Sequence, residues 1–320
     1  MRSGTVCDEP IEHEEFLTMA LHRSRILAIL LMFGGAPAWA VDLEPRAYSN
    51  TPVGLNFLLA GLGYSEGGLS TGALPIQDAQ LKITTETLAY ARTLDIGGNS
   101  AKFDLVVPFA GLSGTALVAG EPQERIVSGM LDPRMRLSVN FYGSPALSMQ
   151  EFGADRQDLI IGGSVQVAAP LGQYDPSRLI NLGNHRWFIK PEMGISKAFG
   201  ALTLELSEAV SFFTTNDNYF GGQTLEQAPV SSTQVHLVYD FGHGAWGALD
   251  ATYDYGGQTT VSGVAGDNKQ ENSRAGLTLA LPVDRNNSIK FYFSSGVSTR
   301  TGSDYKLGGL FWQYRWGGGL

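Results

Sequence analysis

Beyond residue 50 the chain settles into one rhythm: stretches of about ten residues with alternating apolar and polar side chains, joined by connections that are by turns short and long. A strand that alternates in this way has one dry and one wet face. Within hydrocarbon every backbone N–H and C=O needs a partner and no sheet edge can be left open, so such strands must close on themselves. The fold class implied is all-β, an antiparallel transmembrane β-barrel.

The alternation gives twelve strands, at 53–64, 81–93, 101–112, 132–142, 159–170, 186–198, 202–214, 231–241, 246–255, 274–282, 288–297 and 305–316. An even count puts both ends on one side of the membrane. Connections 94–100, 199–201, 242–245 and 283–287 are short and rich in Gly, Asn or Asp, which suit tight turns and mark the periplasmic rim. Connections 65–80, 113–131, 171–185, 215–230 and 256–273 are long and read as outer loops. Segment 143–158 falls where a short turn is due. It reads either as a small amphipathic helix beneath the barrel or as a fault in the strand count.

The facing of each strand follows from its alternation. Met135, Leu137, Val139 and Phe141 point to lipid, opposite Arg134, Arg136, Ser138 and Asn140. An Arg facing lipid at the midplane would cost roughly 2–4 kcal/mol, which fixes this register. Val235, Leu237, Tyr239 and Phe241, and likewise Leu277, Leu279 and Leu281, form further lipid-facing rows. The pattern is weaker at 81–93, and Glu208 interrupts the apolar row from Leu202 to Phe212, through a bulge or a misread strand. Phe199, Phe241, Trp246 and Trp316 flank the short turns and read as an aromatic girdle at the periplasmic headgroups. Trp312, Tyr314 and Trp316 share one face of the last strand, which should close against the first. In a soluble β-sandwich the same aromatics would be core.

Residues 19–40 carry a basic start, an apolar run and the small-residue pattern Ala38-Trp39-Ala40. This is a signal peptide with cleavage before Val41, since the run falls well short of the roughly 20 residues a spanning helix needs. Residues 1–18 are acidic and read as a misassigned extension, with the true start at Met19. The barrel domain is then 41–320. Cys7, the single cysteine, lies in that extension, so the mature chain has no disulfide or thiol-metal site. Residues 1–40 hold three basic and five acidic residues, leaving 19 and 26 and a formal charge of −7. That balance excludes nucleic acid as a partner, because phosphate binding needs a clustered basic excess. The partners expected are outer-membrane lipids and a small-molecule substrate, for a protein acting as a monomer.

Inward-facing polar positions are the candidate functional residues. Along the strands these are Arg134, Arg136, Asn140, Lys190, Glu192 and Glu205, then His236, Asp240, Asp250, Asp254, Arg274, Lys290 and Arg315. Arg134, Arg136 and Arg315 are expected to form a basic stripe. A second set, Gln173, Tyr174, Asp175, Arg178, Asn181, Asn184 and Arg186, crowds one long loop. Such a loop either folds into the mouth as a constriction or merely ties itself down. His236, Asp240 and a nearby Ser can be drawn as a triad, but any polar lumen contains such trios, and roles rather than composition define one. Residues 214–218 (TTNDN) lack the spaced carboxylates of a calcium loop and read as a self-bonded turn. The glycine pairs lack the strand-to-helix setting of a phosphate cradle, and permit bends or close strand approach instead. No cofactor, metal or catalytic residue is expected.

Several separated segments resemble a bacterial family named for a meta-pathway of phenol degradation. They are 44–65 (EPRAYSNTPVGLNFLLAGLGYS), 132–147 (DPRMRLSVNFYGSPAL), 169–194 (APLGQYDPSRLINLGNHRWFIKPEMG), 211–222 (SFFTTNDNYFGG) and 312–319 (WQYRWGGG). The resemblance implies an outer-membrane, transporter-like barrel encoded near enzymes of aromatic degradation, and it carries over no catalytic residues. The reading is a passive channel for small molecules, aromatic or otherwise hydrophobic ones included. Its alternatives are a structural or envelope-interaction barrel with a plugged lumen and, of a different class, an outer-membrane enzyme acting on lipid.

Overall fold

The computed structural model describes residues 44–70, 76–118 and 120–320. The expected leader, its cleavage point after Ala40 and Cys7 lie outside the described residues.

The wall is a closed antiparallel barrel of twelve strands. In chain order they are β1 (Leu55–Ser70), β2 (Ile76–Ile96), β3 (Asn99–Val118), then β4 (Glu121–Met130) with β5 (Arg134–Tyr142). Both β4 and β5 pair with β3, so they form one wall strand broken at 131–133. After a one-turn helix, α1 (Met149–Phe152), come β6 (Leu159–Ala168), β7 (Phe188–Phe199) and β8 (Leu202–Phe213). The short β9 (Asn216–Tyr219) and β10 (Gln223–Gln227) precede β11 (Val230–Gly242) and β12 (Ala245–Gly256). The short β13 (Thr259–Val261) and β14 (Val264–Ala265) precede β15 (Gln270–Pro282), β16 (Asn287–Thr299) and β17 (Gly302–Gly317). β1 closes on β17 from Leu55↔Gly317 to Ser70↔Gly302, which completes the ring of the wall. The four short strands make a separate small sheet over the outer rim.

Tight periplasmic turns form where the sequence places them. Gly97 and Gly98 take φ of 62° and 83°, and Asp95 Oδ1 accepts the Gly98 N–H at 2.7 Å. Segment 143–158 is neither a missing strand nor a substantial helix. Ser148 and Glu151 close a capping box around the single turn α1. The segment then braces the base of the wall, with Ala146 N–H donating to the Gly98 carbonyl and Val53 N–H to the Leu147 carbonyl, both at 2.9 Å.

Two of the expected outer loops, 65–80 and 113–131, are instead mostly strand. β1 runs to Ser70, β2 starts at Ile76, β3 reaches Val118 and β4 starts at Glu121, so this sector of the wall stands high above the rest. There the outward face of β2 presents exposed Lys82, Thr84 and Glu86. The ladder continues into water, where nothing requires apolar alternation, and the pattern fades although the strand does not.

Glu208 lies on the outer face beside exposed Leu206 and Phe212, and the pairing of β8 with β11 is continuous past it. No bulge or misread strand is involved. Its carboxylate accepts the hydroxyls of Ser231 and Thr233 on the neighbouring strand. Trp246 corrects the girdle: it belongs to the inward row of Ala248 and Asp250, with the Arg46 guanidinium 5.3 Å from its ring centroid. The girdle proper includes the ladder Trp312–Tyr314–Trp316, with centroids 6.2 and 5.6 Å apart and all three rings exposed on the outside. Replacing Trp316 with Asp is expected to reduce assembled protein severely. Gln313→Ala, on the inner face, should leave it near wild type, as read by heat-modifiable mobility on gels.

Candidate functional site

The lumen is filled from both ends. From the periplasmic rim, residues 44–52 turn back into the bore before β1 begins. Arg46, at φ 67°, donates its backbone N–H to Glu205 Oε2 at 2.6 Å. The Tyr48 hydroxyl donates to Glu192 Oε1 at 2.8 Å, and Asn140 Nδ2 donates to the Tyr48 carbonyl at 2.9 Å. Where the segment leaves the bore, the Thr93 hydroxyl donates to the Pro52 carbonyl at 2.6 Å and accepts the Leu55 N–H at 2.9 Å. The Tyr48 ring rests in a notch made by paired Gly162 and Gly194 on β6 and β7. A Cβ at these positions would lie 2.5 and 2.1 Å from that ring.

Glu44 anchors the segment's tip. It forms an ion pair with Arg136, whose Nε also reaches Asp104 Oδ2 at 3.3 Å. Enclosure pushes the Glu44 carboxyl up, but Arg136, Lys102, Lys290 and Arg134 together outweigh it and hold the group well below the usual carboxylate range. Around the bore the charges are matched. Lys102 lies 3.8 Å from Asp104, Lys190 lies 4.0 Å from Glu192, and His236 Nδ1 lies 2.7 Å from Asp250 Oδ1. Asp250 Oδ2 accepts from Thr278 at 2.9 Å, and Glu205 Oε1 from Ser196 at 3.0 Å.

The structure therefore brings Arg136, Asn140, Lys190, Glu192, Glu205, His236 and Asp250 to one constricted level, with Arg134 two positions along β5 and Lys290 near the Phe311 ring. Others stand elsewhere. Arg274 donates to Ser294 Oγ at 2.9 Å, with Tyr305 3.7 Å from its guanidinium, and Asp254 accepts from Ser232. Asp240 is exposed at the periplasmic rim, where it accepts the Gly242 N–H at 2.7 Å, so the carboxylate that partners His236 is Asp250. Arg315 donates to the Arg285 carbonyl in the β15–β16 turn at 2.9 Å. The three arginines do not form a stripe.

The outer mouth is closed by loop 169–187. Leu182 packs against Ile83, Ala110 and Leu112 of one wall, while Leu179 packs against Tyr219, Leu225 and Val261 of the small sheet. The loop thus crosses the opening. Buried Asp132, in the break between β4 and β5, ties its two limbs: Oδ1 accepts from Gly172 N–H at 2.9 Å, and Oδ2 from Asn184 N–H at 2.8 Å and Asn184 Nδ2 at 3.1 Å. The limbs touch at Gly172 and Gly183, where a Cβ on either would come within 2.7 Å of the other. Asp175 and Asn181 knot the exposed tip, and Arg178 lies exposed beside them. Tyr174 stacks on His185 at 4.7 Å, its hydroxyl donates to the Asn218 carbonyl at 3.1 Å, and Asn216 Nδ2 donates to that hydroxyl at 3.0 Å. Segment 214–218 is thus bonded within the mouth. Gln173 N–H donates to the Met130 carbonyl at 2.7 Å, and buried Arg186 donates to Gln227 Oε1.

Sequence reading missed residues 44–52, Asp104 and Asp132. The first has no periodicity, and the two aspartates are single carboxylates whose shorter contacts, to Arg136 and to Gly172 and Asn184, are with residues remote in the chain.

A closed barrel with an apolar, aromatic-edged exterior and a bore of matched charges defines a bacterial outer-membrane barrel. Within that class the chain belongs to the family described as "Putative MetA-pathway of phenol degradation", whose model matches residues 62–314. Its structure is similar to the COG4313 outer membrane channel from Pseudomonas putida F1, at 17% identity and a TM-score of 0.75, covering 86% of this chain and 100% of that one. It is also similar to the transport unit of the autotransporter AIDA-I from Escherichia coli, at 11% identity, TM-score 0.50 and coverages of 91% and 97%. The beta domain of the Bordetella autotransporter BrkA follows at 8%, 0.50, 82% and 99%. These likenesses concern the fold. No curated protein matches the sequence significantly.

Proposed function

We propose that the protein is a monomeric, passive outer-membrane channel for uptake of small molecules, aromatic or otherwise hydrophobic ones included. The observation that carries this reading is the nature of the obstruction. Among the described residues the bore is filled by segment 44–52, seated by non-covalent contacts, and by crossing loop 169–187, and neither belongs to the wall ladder. Both can leave without breaking a barrel pairing. Cleavage before Val41 would make residues 44–52 nearly the chain terminus, able to withdraw into the periplasm. The fold it shares with a protein described as an outer membrane channel supports the same reading.

The charged level around Arg136 lies across the bore, and long arginine side chains reach far into a twelve-stranded lumen. Replacing Arg134 and Arg136 with Gln is expected to change the relative flux of anionic and neutral aromatic solutes into proteoliposomes by several-fold, with the fold intact. Absence of flux through both wild type and variant would favour the plugged, structural barrel. Identical flux would remove these arginines from the path.

A further inference from the structure

We propose that Arg186 anchors a carboxylate-binding subsite at the outer mouth, and that the small molecules admitted there are acids carrying an aromatic ring. This rests on the channel reading above and specifies its substrate class.

Arg186 lies two residues before β7 begins and is only 4% exposed. Nη2 donates to Gln227 Oε1, but Nε and Nη1 have no hydrogen-bond partner. Beside it Tyr219, also 4% exposed, has a hydroxyl without a partner. The neighbouring carboxylate, Asp132, is occupied by the three donors of Gly172 and Asn184. Burial pushes the guanidinium down to about 10, which leaves it charged at neutral pH. Enclosing a charge with open N–H donors is costly, and truncation to an apolar residue would relieve that cost unless something uses the donors. An anion is the group that does.

The geometry of the donors and the surrounding rings narrows the class further. A guanidinium with free N–H groups matches the planar, two-oxygen face of a carboxylate, and the Tyr219 hydroxyl supplies a further donor. The walls are aromatic: the guanidinium lies 4.6 Å from the Phe213 centroid, and Phe213 is tilted against Phe188 at 5.6 Å. Tyr174 and Tyr219 also neighbour the guanidinium. A ring attached to the carboxylate would find tilted and stacked partners there. The seam over the subsite joins the Tyr174 hydroxyl to Asn216 and Asn218, Asn216 Nδ2 to the Asn184 carbonyl and Gly221 N–H to the Pro176 carbonyl, so entry requires parting loop hydrogen bonds rather than a wall ladder.

Isothermal titration of the full, detergent-solubilised barrel with benzoate, benzyl alcohol, acetate and chloride tests this. Benzoate should bind saturably and more tightly than acetate, with benzyl alcohol and chloride weak. Arg186→Gln should weaken benzoate by roughly thirtyfold or more, as loss of a buried charge partner does, and Tyr219→Phe should weaken it by several-fold. Arg186→Lys, which keeps the charge but not the fork, should remain well below wild type. Benzoate binding unchanged in Arg186→Gln, or in Tyr219→Phe should the first variant not fold, overturns the proposal. So does the absence of benzoate binding, or chloride binding as well as benzoate does. Neutral-solute flux in liposomes is measured in parallel. Flux without benzoate binding removes the subsite and keeps the channel, whereas benzoate binding without flux of any solute does the reverse.

Discussion

Removing residues 44–50 should raise single-channel conductance several-fold without reducing the amount of folded barrel. The segment contributes no strand pairing, so the wall keeps its ladder, while the bore loses the Tyr48 ring and the backbone that spans it from Glu205 to Asn140. Glu44→Gln should produce a partial version of the same effect by loosening the tip from Arg136. The pH dependence has a definite sign. Because the docked Glu44 carboxyl is held below its ordinary range, its hold on the segment is fully present above that range. It is lost only as pH falls through the lowered value. Wild-type conductance should therefore be flat between about pH 7 and about pH 5, with the Glu44→Gln trace lying above it throughout. Opening of the wild type near pH 6 would contradict the assignment of Glu44 as the anchor.

Asp132→Ala is expected to free the outer loop. It strands the half-buried N–H groups of Gly172 and Asn184 together with the Asn184 amide, each worth up to about 1–3 kcal/mol where water does not reach it. The loop tip at 175–181 should then be cut by protease at least about tenfold faster, in proportion to the larger open population. The barrel should keep its heat-modifiable mobility, since Asp132 lies in the break between two wall segments. Asp175→Ala is the control. Its carboxylate bonds, to Ser177 N–H at 2.9 Å and to the Ser177 hydroxyl at 2.7 Å, are exposed, so water replaces them. Equal protease rates for the two variants would remove Asp132 as the tie.

What could be read from the sequence was whatever lipid dictates. Met135, Leu137 and Phe141 alternate with buried Ser138 and Asn140 because one face meets hydrocarbon, and the twelve-strand count followed from that repetition. Above the membrane the constraint lapses, so the raised ends of β1 to β4 looked like loops. Trp246 reads as outward because it flanks a short turn, as Phe241 does. It pairs with Asp240, however, whose side chain points away from that of Phe241, and such a pairing leaves no mark in the residue types. His236 shows the limit for the lumen. Asp240 lies on the same strand about 13 Å away, whereas Asp250 is directly cross-strand, and only the pairing reveals it. Residues 44–52 were silent because an irregular segment takes its conformation from the walls it touches.

The paired Gly162 and Gly194 have a consequence for how this protein can diverge. Their missing side chains form a mould of the Tyr48 ring, so the shape of the stopper is written into two wall strands far from it in the chain. Neither half can drift alone. A methyl group on the wall would expel the ring, and a smaller residue at 48 would leave a polar-edged void in the bore. A chimaera carrying another barrel's leading segment would therefore seat it only if positions 162 and 194 were exchanged with it. Wall and stopper form one inherited unit.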